Sequence, residues 1–296
     1  MNPKPEIAVI GAGSAGLAAA AYLAPHCQLT LFEAGKVAGG RARGVAHGEF
    51  AELDNGQHLL IGAYRAVFRL LHRVGESPDA LFLREPLHWH LADGFQFRCP
   101  QKLPAPLHLL WAVLRGKNAD WAQKTALLRQ MAALQRWHKR QPPDQSIASW
   151  LDEQRVGEEW RAQFWRPMVL GALNTPLETA SLRVLCHVLA DGVWASRDAG
   201  DFYIAKRNLS DTLAAPVLRY LAQHGAKYRP NCRIAQVQAA SGKVQADVQT
   251  FDAAVFAVAP YHLAPLLPEH LGDAVRTKPS PPCICAIRSR CTCLPR

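Results

Sequence analysis

The first apolar run of the chain, Ile7 to Ile10, is short, rich in β-branched residues and closed by glycine, which predicts a buried strand. An alanine-rich helical run follows from Ser14, and a second apolar run, Leu29 to Phe32, predicts the next strand. From Gly62 to Val74 the apolar positions Ala63, Val67, Leu70, Leu71 and Val74 recur at helical spacing, and Gly75 and Pro78 end the helix. Between Leu81 and Phe97 the pattern shortens and alternates, with Asp93-Gly94 as a hairpin turn. Helices are expected over 146–154, 160–170 and 182–194, with a turn at Asn174-Thr175-Pro176. After about Asp201 the character changes back. A helix over 210–224, capped by Ser210 or Asp211, leads to a hairpin-like pair, 227–238 and 244–250, around Ser241-Gly242. Phe251 to Pro260 reads as a further buried strand.

This order predicts two α/β flanks around a different middle. The domain boundaries are 1–78, 79–204 and 205–279, with an aberrant tail over 280–296. All eight tryptophans lie between Trp89 and Trp194. The concentration suits either an aromatic-rich helical core or the walls of a pocket for a greasy substrate.

Composition narrows the class. A chain of 296 residues can bury a sizeable core and suggests about two domains. No apolar run is long enough for a membrane span, and no secretory leader is evident, so the cytoplasm is the expected compartment. The net charge of +10 suits an acidic surface, but no nucleic-acid motif accompanies it, so none is expected as a partner. Between Arg98 and Arg140 nine Lys or Arg stand against one acid, Asp120. The stretch includes a twelve-residue apolar run, Leu103 to Leu114, and a helix that Asp120 can cap, with Trp121, Leu128, Met131 and Leu134 on its apolar face. This is either a solvated basic face or a surface that rests on a membrane, the latter placing the protein peripherally on the cytoplasmic face.

The chemistry begins at the first turn. Gly11, Gly13 and Gly16 stand at GxGxxG spacing between strand and helix, with Ala12, Ser14 and Ala15 between them. Gly11 allows the tight turn, Gly13 close approach to a pyrophosphate, and Gly16 tight helix packing. The helix N-terminus offers free amides to phosphate. Glu33, at the end of the second strand and followed by Ala34, stands where a carboxylate accepts from a ribose hydroxyl. Gly39-Gly40-Arg41-Ala42-Arg43 adds a second flexible doublet with two arginines for phosphate oxygens. Further on comes Asp54-Asn55-Gly56-Gln57-His58-Leu59.

This ordered set resembles the FAD-binding half of the amine oxidase and phytoene desaturase superfamily. GQHLLIGAYRAVFRLL and FWRPMVLGALNTP resemble one branch, the hydroxysqualene dehydroxylases (squalene-associated FAD-dependent desaturases). The resemblance implies a Rossmann-like FAD-binding domain with an inserted, mainly helical α+β substrate domain. It implies FAD held by residues 11–16, Glu33, Ala34, Gly39, Gly40, Arg41, Gly56, Gln57, His58, Leu59 and the backbone of Ile234. It further implies a lipophilic C30 isoprenoid substrate, with hydroxysqualene reduced to squalene as part of hopanoid synthesis. A carotenoid-type desaturase, a flavin amine oxidase and an inactive nucleotide-binding remnant are the alternatives. His58 is a candidate proton donor or a cofactor-shell residue. Arg166 and Asn174 are candidate contacts to a substrate hydroxyl, or else an ion-pair partner and a turn former.

The cysteines divide by position. Cys27, Cys99, Cys186 and Cys232 are expected as reduced, mostly buried thiols. Cys283, Cys285, Cys291 and Cys293 crowd into the tail as Cys-x-Cys pairs, a spacing that zinc sites do not favour, so no metal is expected. The tail sustains neither helical nor strand periodicity and lacks the family's Gly-Asp motif, which suggests a frameshifted or truncated gene.

Overall fold

The computed structural model describes residues 3–56, 58–91, 94–240, 242–267 and 285–288. The strands in chain order are β1 (Glu6–Ile10), β2 (Gln28–Phe32), β3 (Gly44–His47), β4 (Phe50–Asp54), β5 (Leu59–Ile61), β6 (Phe82–Glu85), β7 (His88–His90) and β8 (Gln96–Arg98). They continue as β9 (Phe202–Ala205), β10 (Lys227–Arg229), β11 (Val237–Ala240), β12 (Lys243–Ala246), β13 (Gln249–Phe251), β14 (Ala253–Phe256) and β15 (Cys285–Arg288). Two compact units form, one from 1–58, 66–82 and 205–296, the other from 59–65 and 83–204.

The first unit is built on a sheet of order β10-β2-β1-β14-β15. Its first four strands are parallel, with Ile7 opposite both Leu29 and Ala253, and β15 runs antiparallel to β14. Alternate side chains feed two cores, as the period of 2 requires. Val9, Leu29 and Leu31 pack with Leu17, Ala20, Val217 and Leu221. Ala8, Ile10 and Phe256 pack on the other side with Phe32, Val237, Val244 and Phe251. The helix Ser14–Leu23 buries Leu17 together with Gly16, Ala20 and Ala21, three small residues that let it lie close on the sheet.

Several expected elements need correction. Lys227 to Gln238 is not one strand of a hairpin. Its start joins the main sheet as β10, and its end begins an antiparallel sheet β11-β12-β13. Phe251 belongs to β13, and the buried strand starts at Ala253. The helix over 210–224 is capped neither by Ser210 nor by Asp211. Asn208 Oδ1 accepts from the Asp211 amide at 3.1 Å, because an Asn side chain one turn ahead reaches the orphan N–H. The tail residues Cys285–Arg288 extend the sheet as β15, while Cys283, Cys291 and Cys293 lie outside the described residues, as do Asp93 and Ser241 of the expected turns.

The second unit holds the sheet β5-β9-β6, the hairpin β7-β8 and the helices between Leu107 and Trp194. The predicted helix from Gly62 begins only at Arg65. Gly62 instead packs on backbone: its amide donates to Asp201 O at 2.9 Å, and a Cβ there would sit 2.0 Å from Asp198 O. Asp201 is buried and takes Arg84 at 2.7 Å and Arg197 at 3.3 Å. Trp150, Trp160, Phe164, Trp165, Leu182 and Leu185 are core. The fully buried Trp165 donates through Nε1 to the buried Gln130 Oε1 at 3.2 Å, so neither polar group is left unpaired.

The helix Trp121–Arg140 has the capping box expected of Asp120, which accepts from the Gln123 amide at 2.7 Å. Its most buried residues are Leu127, Gln130 and Leu134, and of the expected face Leu134 is core and Leu128 and Met131 pack against it, whereas Trp121 does not. Trp121 lies about 120° around the axis from Leu127 and is 67% exposed. Among the described residues no helix is long and apolar enough to cross a membrane.

Candidate functional site

The glycine motif occupies the C-terminal end of β1, where backbone crowding explains each residue. Gly11 has φ +102°, and a Cβ on it would stand 2.6 Å from Ala257 O. A Cβ on Gly16 would stand 1.8 Å from Gly11 O, which only a rebuilt turn could relieve. Gly13 is the extended N-cap of the Ser14–Leu23 helix, so the amides of the first turn have no intrahelical acceptor.

The second glycine doublet is brought onto the first. Gly39 N donates to Ala12 O at 2.8 Å, and Gly13 and Gly39 form a parallel bridge. Gly39 and Gly40 have φ +112° and +61°, and a Cβ on Gly40 would lie 3.1 Å from the Gly13 Cα. Two loops thus meet with no side chain between them. Glu33 ties the same place: one carboxylate oxygen accepts from the Ala12 amide at 2.8 Å, the other from the Gly35 amide at 2.7 Å. Each oxygen keeps a second lone pair for a hydroxyl donor. Ser14, Ala15, Ala34, Gly40 and Arg41 are exposed.

Sequence reasoning missed what fixes the end of this loop. The Gly44 amide donates to Ser210 Oγ at 2.9 Å, and a Cβ on Gly44 would run into the Asn208 side chain at 2.6 Å. Leu209 N in turn donates to Asp54 Oδ1 at 2.7 Å. The chain from 208 to 210 therefore clamps both ends of the 44–54 hairpin. No local pattern announces a contact across 166 residues. The Arg43 Nε is buried with no partner among the described residues.

The remaining expected residues scatter. Ile234 packs its side chain into the core, and among the described residues its main chain makes no hydrogen bond, leaving N–H and C=O for a ligand. His58 Nδ1 stands 2.6 Å from Gly56 O, so it carries the hydrogen. The neutral ring can then only accept through Nε2, and proton donation from there demands the imidazolium. Gln57 lies outside the described residues. Leu59 belongs to β5 of the second unit, where it pairs with Ile204. Arg166 is ion-paired to Glu158 at 2.8 Å, and Asn174 is the left-handed C-cap of its helix at φ 49°. Local structure thus engages these two as an ion-pair partner and a turn former.

The four described thiols are free, with Cys27, Cys99 and Cys186 buried. Burial pushes the Cys99 thiol up to about 12 and the Cys186 thiol to about 11, so neither serves as a nucleophile near neutrality.

Known proteins fit this geometry. The 15-cis-phytoene desaturase of Arabidopsis thaliana is 27% identical over 252 residues, covering 80% of this chain and 44% of the relative. The zeta-carotene desaturase of Zea mays is 24% identical over 254 residues, covering 78% and 43%. The chain thus spans less than half the length of these relatives. An oxidoreductase from Methanosarcina mazei superposes with TM-score 0.66 at 16% identity, over 92% of this chain and 65% of the other. Cyclohexylamine oxidase from Brevibacterium oxydans superposes with TM-score 0.59 at 18% identity, over 93% and 63%. At such identities the superpositions speak for the fold alone. Residues 14–287 match the family described as flavin containing amine oxidoreductase. The crowded glycine loops, the carboxylate at Glu33 and the match over most of the chain agree: this protein belongs to the flavin containing amine oxidoreductase family, and its cofactor is FAD.

Proposed function

We propose that the chain is the cofactor-holding part of an oxidoreductase that acts on a long isoprenoid hydrocarbon. The observation that carries this reading is an apolar sheet face in the second unit. On β5 and β9, Leu59 pairs with Ile204 and Ile61 with Phe202, all on one side by strand alternation. Leu59 and Ile204 are 41% and 42% exposed, as is half of Leu83 on β6. A surface of this kind suits a substrate without charges, and would not orient an amine. The curated relatives, carotenoid desaturases by name, support the same substrate class.

Within the first unit the residues divide the work of holding FAD. The amides after Gly13 would hold its pyrophosphate, Glu33 would accept from a ribose hydroxyl, and the Ile234 main chain would meet the adenine. Gly39 and Gly40 let the second loop close on the first where a Cβ would crowd Ala42 O or the Gly13 Cα, and Arg41 and Arg43 would supply charge to the phosphates. When bound, the flavin supplies hydride exchange, while the protein orients the substrate and keeps water away.

The direction of exchange has two readings. The resemblance of GQHLLIGAYRAVFRLL and FWRPMVLGALNTP supports reductive removal of an allylic hydroxyl, hydroxysqualene to squalene. The names of the relatives support desaturation of a phytoene-type polyene. Anaerobic incubation with hydroxysqualene and a reductant, and separately with phytoene and a quinone, decides between them. Squalene in the first arm is the expected product. A purified chain that takes up no flavin on reconstitution would sink both.

A further inference from the structure

The helix Leu107–Arg115 is covered on one side only. His108, Ala112 and Val113 are buried. Leu107, Leu110 and Trp111, at i, i+3 and i+4, are 50%, 41% and 50% exposed. Trp121, at the start of the next helix, is more exposed still. Single exposed apolar residues are ordinary, whereas an outward stripe on an amphipathic helix is not.

The cations beside this stripe tie it into one patch. The Arg115 guanidinium stands 5.4 Å from the centre of the Trp111 ring, and the Lys124 ammonium 5.4 Å from that of Trp121. Lys124 Nζ also donates to Leu114 O at 3.3 Å, which ties the Trp121–Lys124 pair to the end of the helix that carries Trp111 and Arg115. The only acid between Arg98 and Arg140, Asp120, is engaged in its capping box. Rings with cations over their faces, on a strongly basic segment, match the boundary between acyl chains and anionic headgroups. An acidic protein would leave the apolar stripe uncovered, and RNA would leave the leucines without a partner.

We propose that this patch, Leu107, Leu110, Trp111, Arg115, Trp121 and Lys124, docks the protein on an anionic phospholipid bilayer. The inference rests on the hydrocarbon-substrate reading for its purpose, but its test needs no substrate. The full chain is mixed with vesicles of phosphatidylcholine alone, or of phosphatidylcholine with phosphatidylglycerol, and sedimented. Binding to the anionic vesicles, a blue shift of tryptophan emission and loss of binding in high salt are expected. Arg115→Ala and Lys124→Ala should each weaken binding about fivefold. The double variant Trp111→Ala, Trp121→Ala should abolish the blue shift while keeping the native circular dichroism, because neither ring is in the core. No binding to anionic vesicles, unchanged binding of the double variant, or binding to RNA in place of vesicles would overturn the proposal. Turnover of detergent-dispersed substrate without vesicle binding defeats this surface alone. Vesicle binding without turnover strikes the proposed activity instead.

Discussion

The two units solve the problem of specificity in opposite ways. In the first, the decisive contacts are between backbones, and the residues that matter are those without a Cβ. At Gly16 the neighbouring carbonyl oxygen lies 1.8 Å from where a Cβ would be. In the second, the decisive contacts are between large rings. Trp160 and Phe164 stack at 6.1 Å and 14°, and Trp165 meets Trp150 edge-on at 5.5 Å. A site for a rigid, phosphate-bearing cofactor needs positions fixed by main chain. A unit whose task is to present apolar surface needs volume, which many combinations of side chains can fill.

That contrast can be broken from either side. The largest effect is expected for Gly16→Val, whose side chain has nowhere to go but into the Gly11 turn. Flavin uptake, read by absorbance, should vanish, with a loss of about 3 kcal/mol or more in stability. Trp165→Ala should cost about 3–5 kcal/mol by chemical denaturation, the cost of a large cavity with Gln130 left unpaired beside it. Hydrogen exchange in that variant should accelerate first within 121–194. Ser210→Ala removes only the acceptor of the Gly44 amide and should cost about 1–2 kcal/mol, with weaker FAD binding in a titration. A stability change without a change in FAD affinity would show that Ser210 does not position the loop. The smallest effect concerns His108, whose imidazole burial holds below its ordinary 6.5. The unfolded chain binds a proton there that the folded chain refuses. Stability is therefore full above about pH 6.5 and falls as the pH drops through that value. Midpoints of denaturation over a pH series should show this slope, and His108→Leu should flatten it.

The same contrast explains what could be read in advance. β1, the glycine turn, the following helix and Glu33 lie within one local stretch, and their spacing is dictated by backbone geometry, so the residues announce the site. Asn208 and Ser210 did not, because their partner Gly44 is distant in sequence and an Asn or Ser in a loop has many uses. On the helix Trp121–Arg140 the inward side was legible at Leu128, Met131 and Leu134, but not at Trp121, whose ring suits core while it stands in solvent at the helix start. Arg166 and Asn174 carried chemistry by residue type, and local structure absorbed both.

The chain passes between the two units at 58/59, 65/66, 82/83 and 204/205, and three of these four passages fall at a strand of the sheet β5-β9-β6. This has a consequence for the order of assembly. During synthesis the parallel sheet of the first unit must wait for β10 and β14, long after β1 and β2 have emerged. The entropic cost of that wait would grow with the length of the intervening chain. Pairing of Leu59 with Ile204 holds the two ends of the 59–204 segment together. That pairing shortens the effective loop that closing β14 onto β1 must span.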